Sequence, residues 1–184
     1  LAVGEVMSIG KTYKEAFQKS IRSLEIGRYG LGFAKDFHER SLGDLMQRLA
    51  FPSSERQFIL YEALRKGADV GALHELTHIK PWFIGQMAEI VGLEREMAIA
   101  GFESATKEQL LAAKRAGLSD EYLAGLWGVD AARVSARRAE WELHPVFKRV
   151  DTCAAEFESY TPYLYSTYED EDEAEAVERP KIMI

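Results

Sequence analysis

The sequence predicts an all-α protein: an irregular multihelical array in two small subdomains, with extended N- and C-terminal segments. Three observations predict it. Short apolar stripes recur near a 3.6-residue period. Ser, Thr or Asp stands before most of these stripes and Gly or Pro closes most of them, the signature of helix starts and stops. No convincing alternation of apolar and polar residues appears before residue 145, so no half-buried strand is expected there.

In chain order, the stretch GKTYKEAFQKSIRSLEIG has Thr12 and Glu15 at capping-box spacing. Ala16, Phe17, Ile21 and Leu24 form its stripe and Gly27 is expected to end it. Residues 27–40, with three glycines, read as a flexible loop. Ser41 starts a short helix that Pro52 limits, and SSERQFILYEALRKG runs from a serine cap to Gly67. Asp69 caps a short helix to about Leu76. Pro81 then opens a long one that runs to Gly101, about 20 residues or ~30 Å. Thr106 with Gln109, Ser119 and Asp130 cap three shorter helices, each too short to stand alone, so the set must pack as a cluster. Beyond Pro145 the chain is rich in Tyr, Thr and Phe without a clean period and reads as an extended segment lying over other surfaces.

The chain has 184 residues, 47% of them hydrophobic, enough for one domain or two small subdomains around a real core. Its formal charge of −7 belongs to one place. Residues 169–178 hold seven acids and no base, leaving the remainder neutral, and such a run reads as a solvated, mobile segment. No apolar run approaches the ~18 residues that span a bilayer, and the N-terminal stretch turns polar too soon for a secretory signal. One cysteine, Cys153, excludes an internal disulfide and fits a reducing cytoplasm. The chain starts at Leu1 without an initiator Met, and its last residues, PKIMI, look like the start of a buried strand; both predict a piece of a longer protein.

Three stretches invite a chemical reading. His74-Glu75-Leu76-Thr77-His78 has the spacing of zinc metalloproteases, which need both histidines on one face of a long helix and a third ligand. Pro81 cuts that helix short and leaves His78 at or beyond its end; Glu94 and Glu96 are distant candidates for a third ligand. The expectation is therefore no metal site. Residues 120–141 resemble a helix-turn-helix with Arg133, Arg137 and Arg138 on its second helix, which makes a DNA-binding regulator the alternative reading. The neutral body lacks the basic face that duplex binding needs, so no nucleic-acid partner is expected, and the bland reading is a packed helical hairpin. Cys153 with His144 nearby in sequence is a weak nucleophile candidate, since nothing places a base beside the sulfur. No phosphate-binding glycine loop is present: GRYGLG lacks the strand-to-helix context. No catalytic residue is assigned. For interaction, the long helix and its preceding corner offer Trp82, Phe83, Met87, Ile90 and Val91; some must face the core, and a spare apolar patch would mark an interface.

The words at the two ends go further than composition. GEVMSIGKTYKEAFQKSIRSLE (4–25), PVFKRVDTCAAEFESYTPYLYSTYE (145–169) and the closing KIMI resemble the large chain of carbamoyl-phosphate synthase, collinearly over nearly the whole sequence; LTHIKPWF (76–83) resembles a corner of the same family. The resemblance implies four parts: residues 1–10 as the end of a first ATP-grasp synthetase half, 11–144 as a helical oligomerisation or connection domain, 145–180 as an extended linker with the acidic run, and 181–184 as the start of a second half. It implies a parent ligase that makes carbamoyl phosphate from bicarbonate, ammonia and two ATP, with Mg, in arginine or pyrimidine biosynthesis, with ammonia from a glutaminase small chain. Its ATP and metal ligands lie in the flanking halves, so no cofactor is expected in this chain. Expected partners are the flanking halves, other large chains and the small chain, with no membrane. Gly4, Glu5 and Met7 are expected to approach the first half's active site. Asp151, Thr152, Cys153, Ala154, Ala155, Glu156 and Phe157 are expected to pack as a family motif. The Tyr160, Tyr163, Tyr165 and Tyr168 segment is expected to lie along the second half.

Overall fold

A computed structural model describes residues 5–154, 156–157, 161 and 163–174. Eight α-helices, a single 3-10 turn at Phe37–Glu39 and a two-stranded antiparallel sheet make up the regular structure among them. The helices are α1 (Tyr13–Ser23), α2 (Leu42–Leu49), α3 (Arg56–Arg65), α4 (Val70–Thr77), α5 (Pro81–Ser104), α6 (Lys107–Arg115), α7 (Asp120–Trp127) and α8 (Ala131–Glu140). The fold class is the all-α array that the periodicity predicts.

The caps explain most boundaries. Thr12, Ser41, Asp69 and Ser119 each accept a hydrogen bond from the backbone N–H three residues on, at 3.0–3.2 Å. Thr106 and Gln109 close a full capping box. Two signals work differently from expectation. Glu15 does not return to the Thr12 backbone; its carboxylate accepts from Lys11 N at 2.6 Å. Glu55, not a serine, precedes α3, and its side chain makes no cap, because it is held by Arg28 and Lys35. Pro81 opens α5 as predicted, and Gly101 breaks it with φ 68° and ψ 163°, a conformation outside the helical region.

Helix α5 is the spine. Helices α2, α3 and α4 pack together, and α3 and α4 rest on α5; α6 and α7 rest on it from the other group, and α8 packs on α7. One apolar core runs through both groups, with Leu45, Leu60, Leu73, Ile84, Ile90, Leu123 and Val134 wholly buried. The glycine-rich stretch is not the flexible loop its composition implies. Leu31, Ala34 and Phe37 are buried in the same core. A methyl group on Gly30 would meet Tyr122 Cδ2 at 2.6 Å, and one on Gly32 would collide with the Tyr122 hydroxyl. Those glycines let the backbone lie flat against the tyrosine.

The C-terminal segment adds strands that the sequence did not announce. Strand β1 (Val146–Arg149) pairs antiparallel with β2 (Leu164–Thr167), Val146 opposite Thr167 and Arg149 opposite Leu164. In the described part of the acidic run, residues 170–174 are exposed as expected, but the segment is attached to the sheet through two of its acids. Glu173 N donates to Phe147 O at 2.8 Å, the Glu173 carboxylate accepts from Arg149 N at 2.7 Å and pairs with Lys148, and Asp172 accepts from Phe147 N. Acidic side chains thus cover the outer edge of β1, which would otherwise offer unpaired backbone groups. The tyrosines also divide: Tyr163 is exposed, whereas Tyr165 and Tyr168 lie on the helical body under Lys19 and Lys114. Tyr160 and residues 181–184 lie outside the described residues.

Candidate assembly surface and its polar supports

Two buried carboxylates organise the molecule. Helix α5 turns Met87, Ile90, Val91, Glu94 and Met97 into the core, so periodicity itself places Glu94 in an apolar interior. A buried carboxylate is costly unless every lone pair is occupied. Here Tyr61 of α3 donates at 2.8 Å, Tyr122 of α7 at 2.7 Å, and Arg65 Nε pairs at 2.8 Å. Burial pushes both phenols well above their ordinary range, and the neighbouring Glu94 carboxylate adds to this, so both hydroxyls stay protonated and donate. Burial alone would lower the Arg65 guanidinium, but Glu94 and Glu62 hold it above its ordinary value. Glu94 therefore ties α3, α5 and α7 at one point.

Glu15, on α1, is the second. It accepts from Lys11 N at 2.6 Å, pairs with Lys19 Nζ at 3.0 Å and receives the Thr167 hydroxyl at 3.2 Å. Lys19 goes on to donate to Ile9 O at 2.9 Å and to Ser166 O. One lysine thereby holds the backbone running into α1 and the strand lying beside it. Ser8 adds a hydrogen bond to Ala16 O at 2.6 Å, and Arg115 one to Tyr168 O at 2.8 Å.

The candidate interface residues separate. Met87, Ile90 and Val91 are core residues, 5% exposed or less, and cannot present a surface. Trp82 and Phe83 do remain exposed, at 57% and 41%, and join Tyr13 and Phe17 in an aromatic cluster with ring centroids 5.0–5.4 Å apart. In the motif at 151–157, Asp151, Thr152, Ala154, Glu156 and Phe157 are exposed, Cys153 is half-buried, and the Asp151 carboxylate accepts from Cys153 N in a local turn. Ala155 and Gly4 lie outside the described residues. Glu5 and Met7 are exposed.

The other stretches find structural roles. His78 is the left-handed residue that ends α4, with φ 59°, and His74 Nδ1 lies 2.8 Å from Ile79 O, so the pair caps a corner. Residues 120–141 do form two helices joined at left-handed Gly128. Their arginines already have partners within the chain: Arg133 and Arg137 pair with Glu103 at the surface and stack over Phe102, and Arg138 grips the half-buried Asp120 through two nitrogens. Among the described residues no helix is long and apolar enough to cross a membrane.

A packed helical core held by a few buried polar groups, with an aromatic patch left outside it, is an arrangement for contact. Sequence comparison decides which. The family model for the carbamoyl-phosphate synthetase large chain, oligomerisation domain, matches residues 5–142, all eight helices. The chain belongs to that family. Carbamoyl phosphate synthase large chains from Archaeoglobus fulgidus, Myxococcus xanthus and a Nostoc species are 47%, 44% and 42% identical to it, each alignment covering the whole of this chain. The chain spans 17% of the length of each of these relatives. Similarity therefore extends past the eight-helix oligomerisation domain into the strand segment. Sequence reasoning missed Tyr61, Arg65 and Tyr122 as partners of Glu94, and it missed Lys19; the one available signal was an acid placed at the centre of the apolar face of α5.

Proposed function

We propose that this oligomerisation domain holds the two ATP-grasp halves of a carbamoyl-phosphate synthase large chain at a fixed spacing and carries contacts between large chains. The observation that supports it most is the double grip of Lys19 on Ile9 O and Ser166 O. It ties the segment before the helices to the segment after them, so movement of one is resisted by the other. A rigid connector suits a parent enzyme that forms carboxyphosphate and carbamate in one half and phosphorylates carbamate in the next, because a short-lived intermediate tolerates no variation in the path between sites. On this reading ATP and Mg act in the flanking halves, a glutaminase small chain supplies ammonia, and the assembly is cytoplasmic. No residue of this chain is given a catalytic role.

Light scattering over a range of concentrations tests the assembly part. A dimer or larger species that persists on dilution is expected; a strict monomer at every concentration overturns it. Lys19→Met tests the connector part. In a full-length large chain it should leave each half's own ATP turnover intact while raising the ATP consumed per carbamoyl phosphate formed. An unchanged ratio would sink the connector reading.

A further inference from the structure

A cleft of about 250 Å³ opens between the helical body and the strand segment docked on it. One wall is α1 with the turn from α6 into α7; the other is Ser166, Thr167 and Tyr168. Three cations line it, Lys19, Arg22 and Lys114. Lys19 is fully committed, to Glu15, Ile9 O and Ser166 O. The other two are not. A guanidinium has five N–H donors, yet among the described residues Arg22 makes one hydrogen bond, to Gly117 O at 2.7 Å, and joins no ion pair. Lys114, 7% exposed, spends one of its three donors on Asp120 at 2.8 Å, and Asp120 is shared with Arg138. The Tyr168 phenol lies close enough to Arg22, Arg138 and Asp120 to feel all three charges, and burial raises its pKa, so it stays a protonated donor. Burial also lowers the Arg22 guanidinium and the Lys114 ammonium from their ordinary values, outweighing Glu121 and Glu15 at the first and Asp120 at the second. By contrast, Arg65 and Arg138, each hydrogen-bonded to a carboxylate, are held above theirs.

We propose that this cleft binds a phosphate group, free or carried on a small monoester, with Arg22, Lys114 and Tyr168 as its donors. Charge favours it. Lys19, Arg22, Lys114 and the adjoining Arg138 meet only Glu15 and Asp120 at ion-pair distance. Glu15 is already occupied by Lys11 N, Lys19 and Thr167. Glu121 also lines the cleft, but it is exposed and pairs with none of these cations among the described residues. The close-range excess of positive charge matches a phosphate, which carries about −1.5 to −2 at pH 7. Shape favours it too. The unused donors come from α1, α6 and the strand segment, and a tetrahedral group presents oxygens to all three, where a planar carboxylate presents two. Guanidinium is the side chain best matched to phosphate oxygens. The volume lies below the ~300 Å³ at which sites for larger ligands begin, so a bare group or a small ester fits and a nucleotide does not. An anion held here from both walls would clamp the strand segment to the helices. The site stands on its own geometry and needs neither the connector nor the assembly reading.

Calorimetric titration of the chain with inorganic phosphate tests this, with sodium chloride holding the ionic strength constant. Saturable binding of one phosphate per chain is expected, with slower amide exchange over Leu164–Tyr168 when it is bound. Arg22→Gln should weaken binding about tenfold or more and Tyr168→Phe about threefold. Tyr168→Phe keeps the ring and removes only the hydroxyl, so it remains a fair test if loss of the Arg22 bond to Gly117 disturbs the fold. Methyl phosphate separates the two sources: affinity equal to that of inorganic phosphate assigns a carried ester, and much weaker affinity the free ion. Acetate that binds as tightly as phosphate overturns the assignment, as does a titration with no heat beyond dilution. Equal affinity in the wild type and both variants would mean an adventitious ion only, bound elsewhere, and removes the site.

Discussion

Glu94 and Glu15 are the same device in two places, and they hold different kinds of structure. Each is a nearly fully buried carboxylate on a helix, 3% and 2% exposed, with at least one donor distant in sequence. Glu94 gathers donors from α3 and α7, both inside the apolar core. Glu15 gathers them from the segment before α1 and from β2, both laid on the core from outside. The first locks the helical body together; the second locks a docked segment onto it. The lesson is that buried charge sets how parts are positioned, and apolar area sets how strongly they stay together. Removal of each carboxylate or its donors should therefore produce effects of different size and reach.

The largest effect belongs to Glu94. Glu94→Ala strands the Arg65 guanidinium and the Tyr61 and Tyr122 hydroxyls in the interior, and loss of one partner of a buried pair destabilises by about 3–5 kcal/mol. Glu94→Gln still accepts hydrogen bonds from the tyrosines and should lose about half of that. Urea unfolding followed by helical circular dichroism measures both, and the loss should appear as one cooperative shift of the whole molecule. A loss under about 1 kcal/mol for the alanine variant would mean that the body does not depend on this point.

The intermediate effect lies where the sequence was least legible. Helices declare themselves locally, through caps such as Thr106 with Gln109 and through apolar spacing, and seven of the helix starts fall where those signals put them. The Glu94 centre depends on residues 28 and 33 positions apart, and no local pattern reports that. The same holds for Gly30 and Gly32. As words they spell a mobile loop; in the fold they lie against Tyr122, which comes about 90 residues later. Interface residues were legible only as a class: spacing marked Trp82 and Met87 alike, and only the packed structure separates them. Gly32→Ala tests the point. The added methyl has no room beside the Tyr122 hydroxyl, and overpacking of this kind destabilises by about 1–3 kcal/mol. Tyr122→Phe removes the obstructing oxygen, so the double variant should lose less than the two single losses combined. Simple additivity would show that the loop yields easily, as its composition implied.

The smallest and most local effect belongs to Glu15. Thr167→Val keeps the shape of a residue that is 2% exposed and removes its hydroxyl donor, leaving Glu15 with Lys11 N and Lys19. Loss of one hydrogen bond to a charged group costs about 1.5 kcal/mol or slightly more, close to a tenfold change in a local opening equilibrium. Because β2 rests on the helices from outside, that change should appear as roughly tenfold faster amide exchange over Leu164–Thr167, with the urea midpoint of the helical body hardly moved. A Thr167→Val variant that shifts global unfolding as far as Glu94→Gln would break the distinction. Docked segment and helical body would then be one cooperative unit, and the grip of Lys19 on Ser166 would be part of the core rather than a clasp upon it.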